Sequence, residues 1–352
     1  MSWRQLRTSV LVVGGALAVI AAILAVTGVQ MNHLYTDYRD CSGVTCNSAF
    51  TRLLTRYPRI DLIELLVIAA PAAAGIFWGG PLVSRELESG TFRLAWTQGV
   101  SRTRWIVVKL AVGAAVSAVA VGILTFAMTW WAIPLDRVNA DRIDPMTFTE
   151  RGVVPVAYAL FAFALGVAAS AVVRRTLGAL ATTLTGFIAV RVLTQLYVRP
   201  RLVSPLHKIL PLTSQLGVGI SRSFGGAFSV NLAGKPSVHA AWVTDAKIVD
   251  AAGNSPTSAD VQAACQALIN QTPPPAADRA TGPGPVHKQV TPQIQHDFAS
   301  CLHNLGLRFH EAVTYQPESR FWELQWLESL VFLGLAAVLV GLTVYWVRRR
   351  LV

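Results

Sequence analysis

Charge is scarce in this chain. Asp and Glu number only 19 in 352 residues, charged residues of all kinds make up 14%, and apolar residues make up 53%. A soluble globular domain carries about a quarter charged residues, so the sequence does not read as a string of such domains. A phosphate-binding loop is also lacking. The nearest approach, Ser229 to Pro236, has Ser229 where the first glycine should stand and Pro236 where a Mg²⁺-binding hydroxyl is needed. His296, His303 and His310 recur every seven residues, which would set neighbouring imidazoles about 10 Å apart along a helix, too far to share one metal ion. Glu311 follows His310 without the second histidine of a zinc-protease helix. ATP hydrolysis, metal chemistry and a bound cofactor are therefore not expected of this chain itself. No internal repeat is visible, and the only biased tract is a proline linker from Pro273 to Pro285.

What is present is apolar length. Mean hydropathy is +0.47, and six runs meet the spanning requirement of roughly 20 apolar residues. They lie at Ser9–Val29, Leu62–Val83, Ile106–Ile133, Val153–Val173, Leu177–Val198 and Gln325–Val347. Each must be a helix, because lipid offers backbone N–H and C=O groups no partners. The third is long enough to tilt, or to emerge at Trp130-Trp131. The first run is longer than the apolar core of a signal peptide and no small-x-small site follows it, so an uncleaved first helix is expected.

Twelve Lys and Arg residues lie in the terminal segments and short loops of one side, namely Arg4, Arg7, five between Arg85 and Lys109, Arg174, Arg175 and Arg348 to Arg350. Seven lie in the opposite short loops. The excess puts both termini in the cytoplasm and the chain in a cell membrane as a multi-pass protein. It also accounts for much of the net charge of +11, so nucleic acid is not needed as a partner. Cys41, Cys46, Cys265 and Cys301 all fall in segments placed outside by this topology. An even set confined to the oxidising side reads as two disulfides, Cys41 with Cys46 and Cys265 with Cys301.

The expected fold is an all-α polytopic membrane protein of six transmembrane helices, with a mixed α/β extracytoplasmic insertion between the fifth and sixth. Residues 1–198 form the membrane domain, 199–321 the insertion, and 322–352 the last span and its tail. Within the insertion, Ala241 through Val249 reads as a strand, ended by a Gly253-Asn254 turn. Ala259–Asn270 and Gln293–Phe309 read as helices.

Three features of the membrane part bear on function. Arg191 is a strong charge inside a span, beside Gln195 and Tyr197, and such residues mark functional sites by default. Two plainer readings weigh more: the guanidinium snorkels, or it pairs with Glu64 or Asp61 at similar depth on the second span. Pro71 with Gly75, Gly79, Gly80 and Pro81 makes the second span breakable, serving either close helix packing or the transmission of motion. The connector from Arg85 to Lys109 is richer than a turn requires: a helix-like block Arg85–Gln98, a Gly99-Val100 break, and Ser101 placed to cap the third span. In it Glu86, Glu88, Arg93, Arg102 and Arg104 alternate with Phe92, Leu94, Trp96 and Trp105. Topology explains the arginines but not the acids.

The stretch GPLVSRELESGTFRLAWTQGVSRTRWIVVKL, Gly80 to Leu110, resembles the segment after the second span in membrane subunits of type-2 ABC exporters, particularly those of actinobacteria. VTYQPESRFWELQWLES, Val313 to Ser329, resembles the approach to the last helix in the same group. The resemblance implies a permease working as a pair, with itself or a homologous permease, on two copies of a cytoplasmic ATP-binding subunit that supplies ATP and Mg²⁺ chemistry. It implies that the connector, about 86–98, is the coupling helix, with Glu86, Glu88, Thr91, Arg93, Trp96 and Arg102 as contacts. The helix that precedes the first span in such subunits is here only about Ser2 to Thr8. The expected function is export of a hydrophobic or amphipathic substrate by a bacterial plasma-membrane permease. The alternative is a membrane-anchored sensor or scaffold whose insertion binds a ligand. An ion-driven carrier fits less well, because the spans lack membrane-central carboxylates.

Overall fold

The computed structural model describes residues 2–41, 45–55, 60–90, 101–139, 142–212, 218–222, 228–232, 238, 240–271 and 292–350. It divides into two compact units, Met1–Ser204 with Glu318–Val352, and Pro205–Pro317. The second unit is thus narrower than the insertion expected over 199–321. Arg199–Leu202 completes the fifth helix, and Glu318–Arg320 forms a 3-10 turn that leads into the last one.

Among the described residues of the first unit, six helices are long and apolar enough to cross a membrane: Val19–Arg39, Glu64–Ser89, Arg102–Val138, Val154–Val173, Thr176–Leu202 and Glu318–Arg349. The helices outrun their apolar cores. The first is one helix, Ser2–Arg39, so Ser2 to Thr8 is its opening turns rather than a separate element. The third, Arg102–Asn139, contains 38 residues, about 57 Å at 1.5 Å per residue. Ser101 caps it as its side chain suggests, its Oγ accepting from the Arg104 N–H at 3.3 Å. A disulfide joins Cys41 to Cys46 between the first helix and the helix Thr45–Thr55. Arg174 and Arg175 alone separate the fourth span from the fifth.

The fourth span is the axis of this unit, with two thirds of its apolar window buried. The second span lies against it through missing side chains. A Cβ on Gly166 would stand 2.5 Å from the Gly75 carbonyl oxygen, and one on Gly75 would stand 2.6 Å from that of Ala162. Backbones touch here, which only small residues permit. In the same place the second span leaves α-helical geometry for one π-turn, Gly75–Gly79, four residues beyond Pro71. Both readings of the Pro/Gly cluster therefore have a structural counterpart: close packing, and a turn weaker than a regular helix.

Among the described residues, apolar cores hold the bundle. One gathers Ala74, Trp78, Val83, Trp105, Ile106, Leu110, Phe163, Val167 and Val347. Another gathers Leu24, Met31, Val67, Met128 and Trp131, where the Trp131 indole donates to Thr27 Oγ1 at 3.0 Å.

The second unit has a three-stranded antiparallel sheet in the order β1-β5-β4, with β1 Leu206–Pro211, β4 Ala241–Val249 and β5 His310–Pro317. A hairpin pairs β2 Val218–Arg222 with β3 Phe228–Leu232. Asp250 accepts from the Ala252 and Asn254 N–H groups, and Gly253 at φ 86° completes the turn after β4. The helix expected over 259–270 is two, Ser258–Ala264 and Gln266–Gln271, interrupted at Cys265. Cys265 is bonded to Cys301 of the helix Pro292–Gly306. The bridge is buried among Leu212, Ile248, Val261, Leu302, Leu305 and Phe309.

Candidate functional site

The spans alternate in direction, so the first unit has two ends. At the connector end stand Ser89, Arg102, Arg174, Arg175 and Arg349; at the insertion end stand residues 142–153, Ser204 and Glu318. A polar assembly closes each.

At the connector end, the second span continues as a helix from Gly80 to Ser89 and stops at Gly90, which takes the left-handed conformation at φ 70°. Glycine there has no Cβ to oppose that conformation. Of the block Arg85–Gln98, the described part is helical through Ser89 and ends at Gly90, and residues 91–98 lie outside the described residues. Glu86 forms an ion pair with Lys109, whose Nζ also reaches the Leu82 carbonyl at 3.4 Å and sits 4.4 Å over the Trp105 ring. Glu88 turns the other way. Its two carboxylate oxygens accept the N–H and the hydroxyl of Thr176, each at 2.7 Å. Ser84 Oγ lies 3.1 Å from the same hydroxyl. Glu86 and Glu88 thus tie the root of the connector to the third and fifth spans. Arg102 opens the third helix. Thr91, Arg93 and Trp96 lie outside the described residues.

At the insertion end the last helix carries two polar residues three apart, Gln325 and Glu328, both fully buried. The Gln325 carbonyl oxygen accepts the Val153 and Val154 N–H groups at 3.1 and 2.9 Å. Its amide donates to the Phe148 and Arg151 carbonyls at 3.1 Å each. One side chain thus satisfies the start of the fourth span and the end of the short helix before it. Glu328 accepts from Arg199 Nε at 2.7 Å, from Arg199 Nη2 at 3.0 Å and from the Tyr158 hydroxyl. Arg142 pairs with Glu318 and covers Phe321, and Arg151 pairs with Asp136.

Arg191 belongs to this assembly. Its guanidinium stacks 4.0 Å from the Tyr158 ring centre and comes no nearer than 3.9 Å to Glu328. Among the described residues it makes no ion pair with the second span. The carboxylate beside it is Glu328. Glu64 instead lies close enough to Glu150 to act on its charge, and the side chain of Asp61 is outside the described residues. Glu150 is buried in the loop between the third and fourth spans. Burial, reinforced by the nearby Glu64 charge and only partly opposed by Arg151, pushes its carboxyl up to about 8.

Tyr158, Arg199, Gln325 and Glu328 were not singled out in the sequence. The available signal was the i, i+3 pair Gln325 and Glu328 on an apolar helix. Among the described residues no group of His, Cys, Asp and Glu could hold a metal ion. His296 and His303 lie on the helix Pro292–Gly306, while His310 opens β5, so the three share no helix face. Both assemblies join helices to helices.

Comparison with curated proteins gave no match, and comparison with solved structures gave none. Residues 14–199, just over half of the chain and nearly all of its first five spans, match the family model described as ABC-2 membrane transporter related, and the chain belongs to that family.

Proposed function

We propose that this multi-pass membrane protein is the permease subunit of an ATP-driven ABC exporter, acting with a separate cytoplasmic ATP-binding subunit. In this reading both termini and the connector face the cytoplasm of a bacterium, and the insertion lies outside the plasma membrane. Two copies, or this chain with a homologous permease, flank the path of a hydrophobic or amphipathic substrate. The chain itself performs no chemistry, and ATP and Mg²⁺ are held by the partner.

The observation that carries the reading is the double tie at the root of the connector. Glu86 bonds to Lys109 of the third span and Glu88 to Thr176 of the fifth. A force on residues 91–98 would therefore reach the second, third and fifth spans together. The π-turn at Gly75–Gly79, in backbone contact with the fourth span, supplies a place where the second helix can yield.

The test is co-purification in nanodiscs with candidate ABC ATP-binding subunits from the same organism. Wild type should carry the ATPase, and Arg93→Glu with Trp96→Ala should lose it while inserting normally. Failure of the wild-type chain to hold any such ATPase would overturn the reading in favour of a membrane-anchored sensor or scaffold.

A further inference from the structure

The assembly around Glu328 is one anion short. Glu328 receives a bidentate pair from Arg199 and a hydroxyl from Tyr158. Those three donors occupy both its oxygens. Arg199 is completed by the Pro145 carbonyl at 3.3 Å from its Nη1. Arg191 is the second guanidinium beside that one carboxylate, and 3.9 Å is too long for a hydrogen bond. Its Nη1 is buried and has no hydrogen-bond partner among the described residues. Stacking on the face of Tyr158 engages the flat side of the guanidinium and leaves its in-plane N–H fork unused. A surplus cation in an apolar bundle is costly unless an anion meets it.

The backbone places it there. Eight residues separate Arg191 from Arg199, which on a regular helix would turn them roughly 80° apart. The π-turn at Thr194–Val198 absorbs one residue, so that the interval counts as about seven, close to two full turns. Both arginines then face the last span. Arg199 is sealed at 1% side-chain exposure, whereas Arg191 retains 14%. Ile188 and Val192, beside Arg191 on the helix, are about half exposed. The free donors thus lie at the edge of an apolar surface.

We propose that Arg191 is the anion-binding element of a subsite for a negatively charged amphiphile, its N–H fork taking a carboxylate or phosphate and the apolar flank taking the chain behind it. Such a headgroup occurs in an acidic lipid and in an exported amphiphilic acid. The site is specified by the chemistry that the two share.

The experiment is equilibrium binding to the purified chain in phosphatidylcholine nanodiscs, without ATP or ATPase, so that its failure is separate from that of the transporter reading. The probes are dansyl-undecanoic acid and its methyl ester. Wild type should bind the acid about tenfold more tightly than the ester, the scale of one charge-assisted contact. Arg191→Gln should erase the preference and Arg191→Lys retain part of it, with melting temperatures near wild type because Arg191 donates no hydrogen bond among the described residues. Replacing part of the lipid with phosphatidylglycerol identifies the source. Competition with the acid, and phosphatidylglycerol retained by wild type but not by Arg191→Gln in native mass spectra, assigns a lipid. Undiminished binding of the acid assigns a carried solute. Equal binding of acid and ester to wild type, or an unchanged preference in folded Arg191→Gln, overturns the proposal. Should Arg191→Gln not fold, dodecyl phosphate must still displace the acid from wild type where dodecanol does not; equal displacement overturns it.

Discussion

Glu88 holds the start of a helix that is not its own: its carboxylate takes both the N–H and the hydroxyl of Thr176 at 2.7 Å. N-terminal backbone N–H groups of a helix have no partners within it, and an acidic side chain there also meets the positive end of the helix dipole. In Glu88 this capping role is played from the second span onto the fifth. The expected consequence of Glu88→Ala, and of Thr176→Val, is a permease that still inserts and still binds its ATPase but no longer raises the ATPase rate in nanodiscs. Glu88→Gln, which can still accept one hydrogen bond, should be intermediate. A Glu88→Ala protein with full stimulation would show that the tie carries no motion.

Gln325 gives a second prediction. Replacing it with Leu leaves Val153 and Val154 N–H groups and Phe148 and Arg151 carbonyls without their partner, at roughly 1–3 kcal/mol for each buried group left unpaired. Gly152, at φ 72°, lies beneath the same side chain, and a Cβ there would stand 2.7 Å from Gln325 Oε1. Both Gln325→Leu and Gly152→Ala should sharply lower the melting temperature. The Gly152→Ala penalty should shrink in a Gln325→Ala background, where only the backbone strain remains. Equal penalties in the two backgrounds would contradict the contact.

Much of this architecture can be read in the sequence, and the missing parts share a cause. Span number, helical state and cysteine pairing follow from apolar length and from where the cysteines fall. The strand Ala241–Val249 and its Gly253 turn are local signals. The partners of Glu328 are not local, since Tyr158 and Arg199 stand 170 and 129 residues away. The same holds for β5, whose two neighbours β1 and β4 begin at Leu206 and Ala241. Glu86 and Glu88 are readable as unusual acids in a connector. Their partners Lys109 and Thr176 are set by packing of spans, which periodicity does not specify.

Glu150 predicts a pH dependence. Burial first, then the charge of Glu64 with a contribution from Asp136, raises its carboxyl from 4.5 to about 8, Arg151 opposing. A raised carboxyl means that the folded state binds the proton more tightly than the unfolded state. Its stabilisation is complete below about pH 4.5 and is lost as pH rises toward 8. Thermal stability should fall across that interval, and Glu150→Gln should flatten the decline. A Glu150→Gln profile parallel to wild type would place the titration elsewhere.

The orientation proposed for the chain predicts opposite labelling of its two ends. In intact cells a membrane-impermeant maleimide should modify Asn254→Cys in the insertion and spare Ser89→Cys at the connector. Both positions are exposed in the protein, and the four native cysteines are already paired. The reverse pattern would invert the topology.

The measurement that bears most directly on the account is the rate of ATP hydrolysis by the partner ATPase, alone and with this chain in nanodiscs. The wild-type chain should raise the rate, and a chain with Arg93→Glu and Trp96→Ala should leave it at the level of the ATPase alone. A wild-type chain that leaves the rate unchanged, or an Arg93→Glu, Trp96→Ala chain that raises it as wild type does, would contradict coupling through the connector.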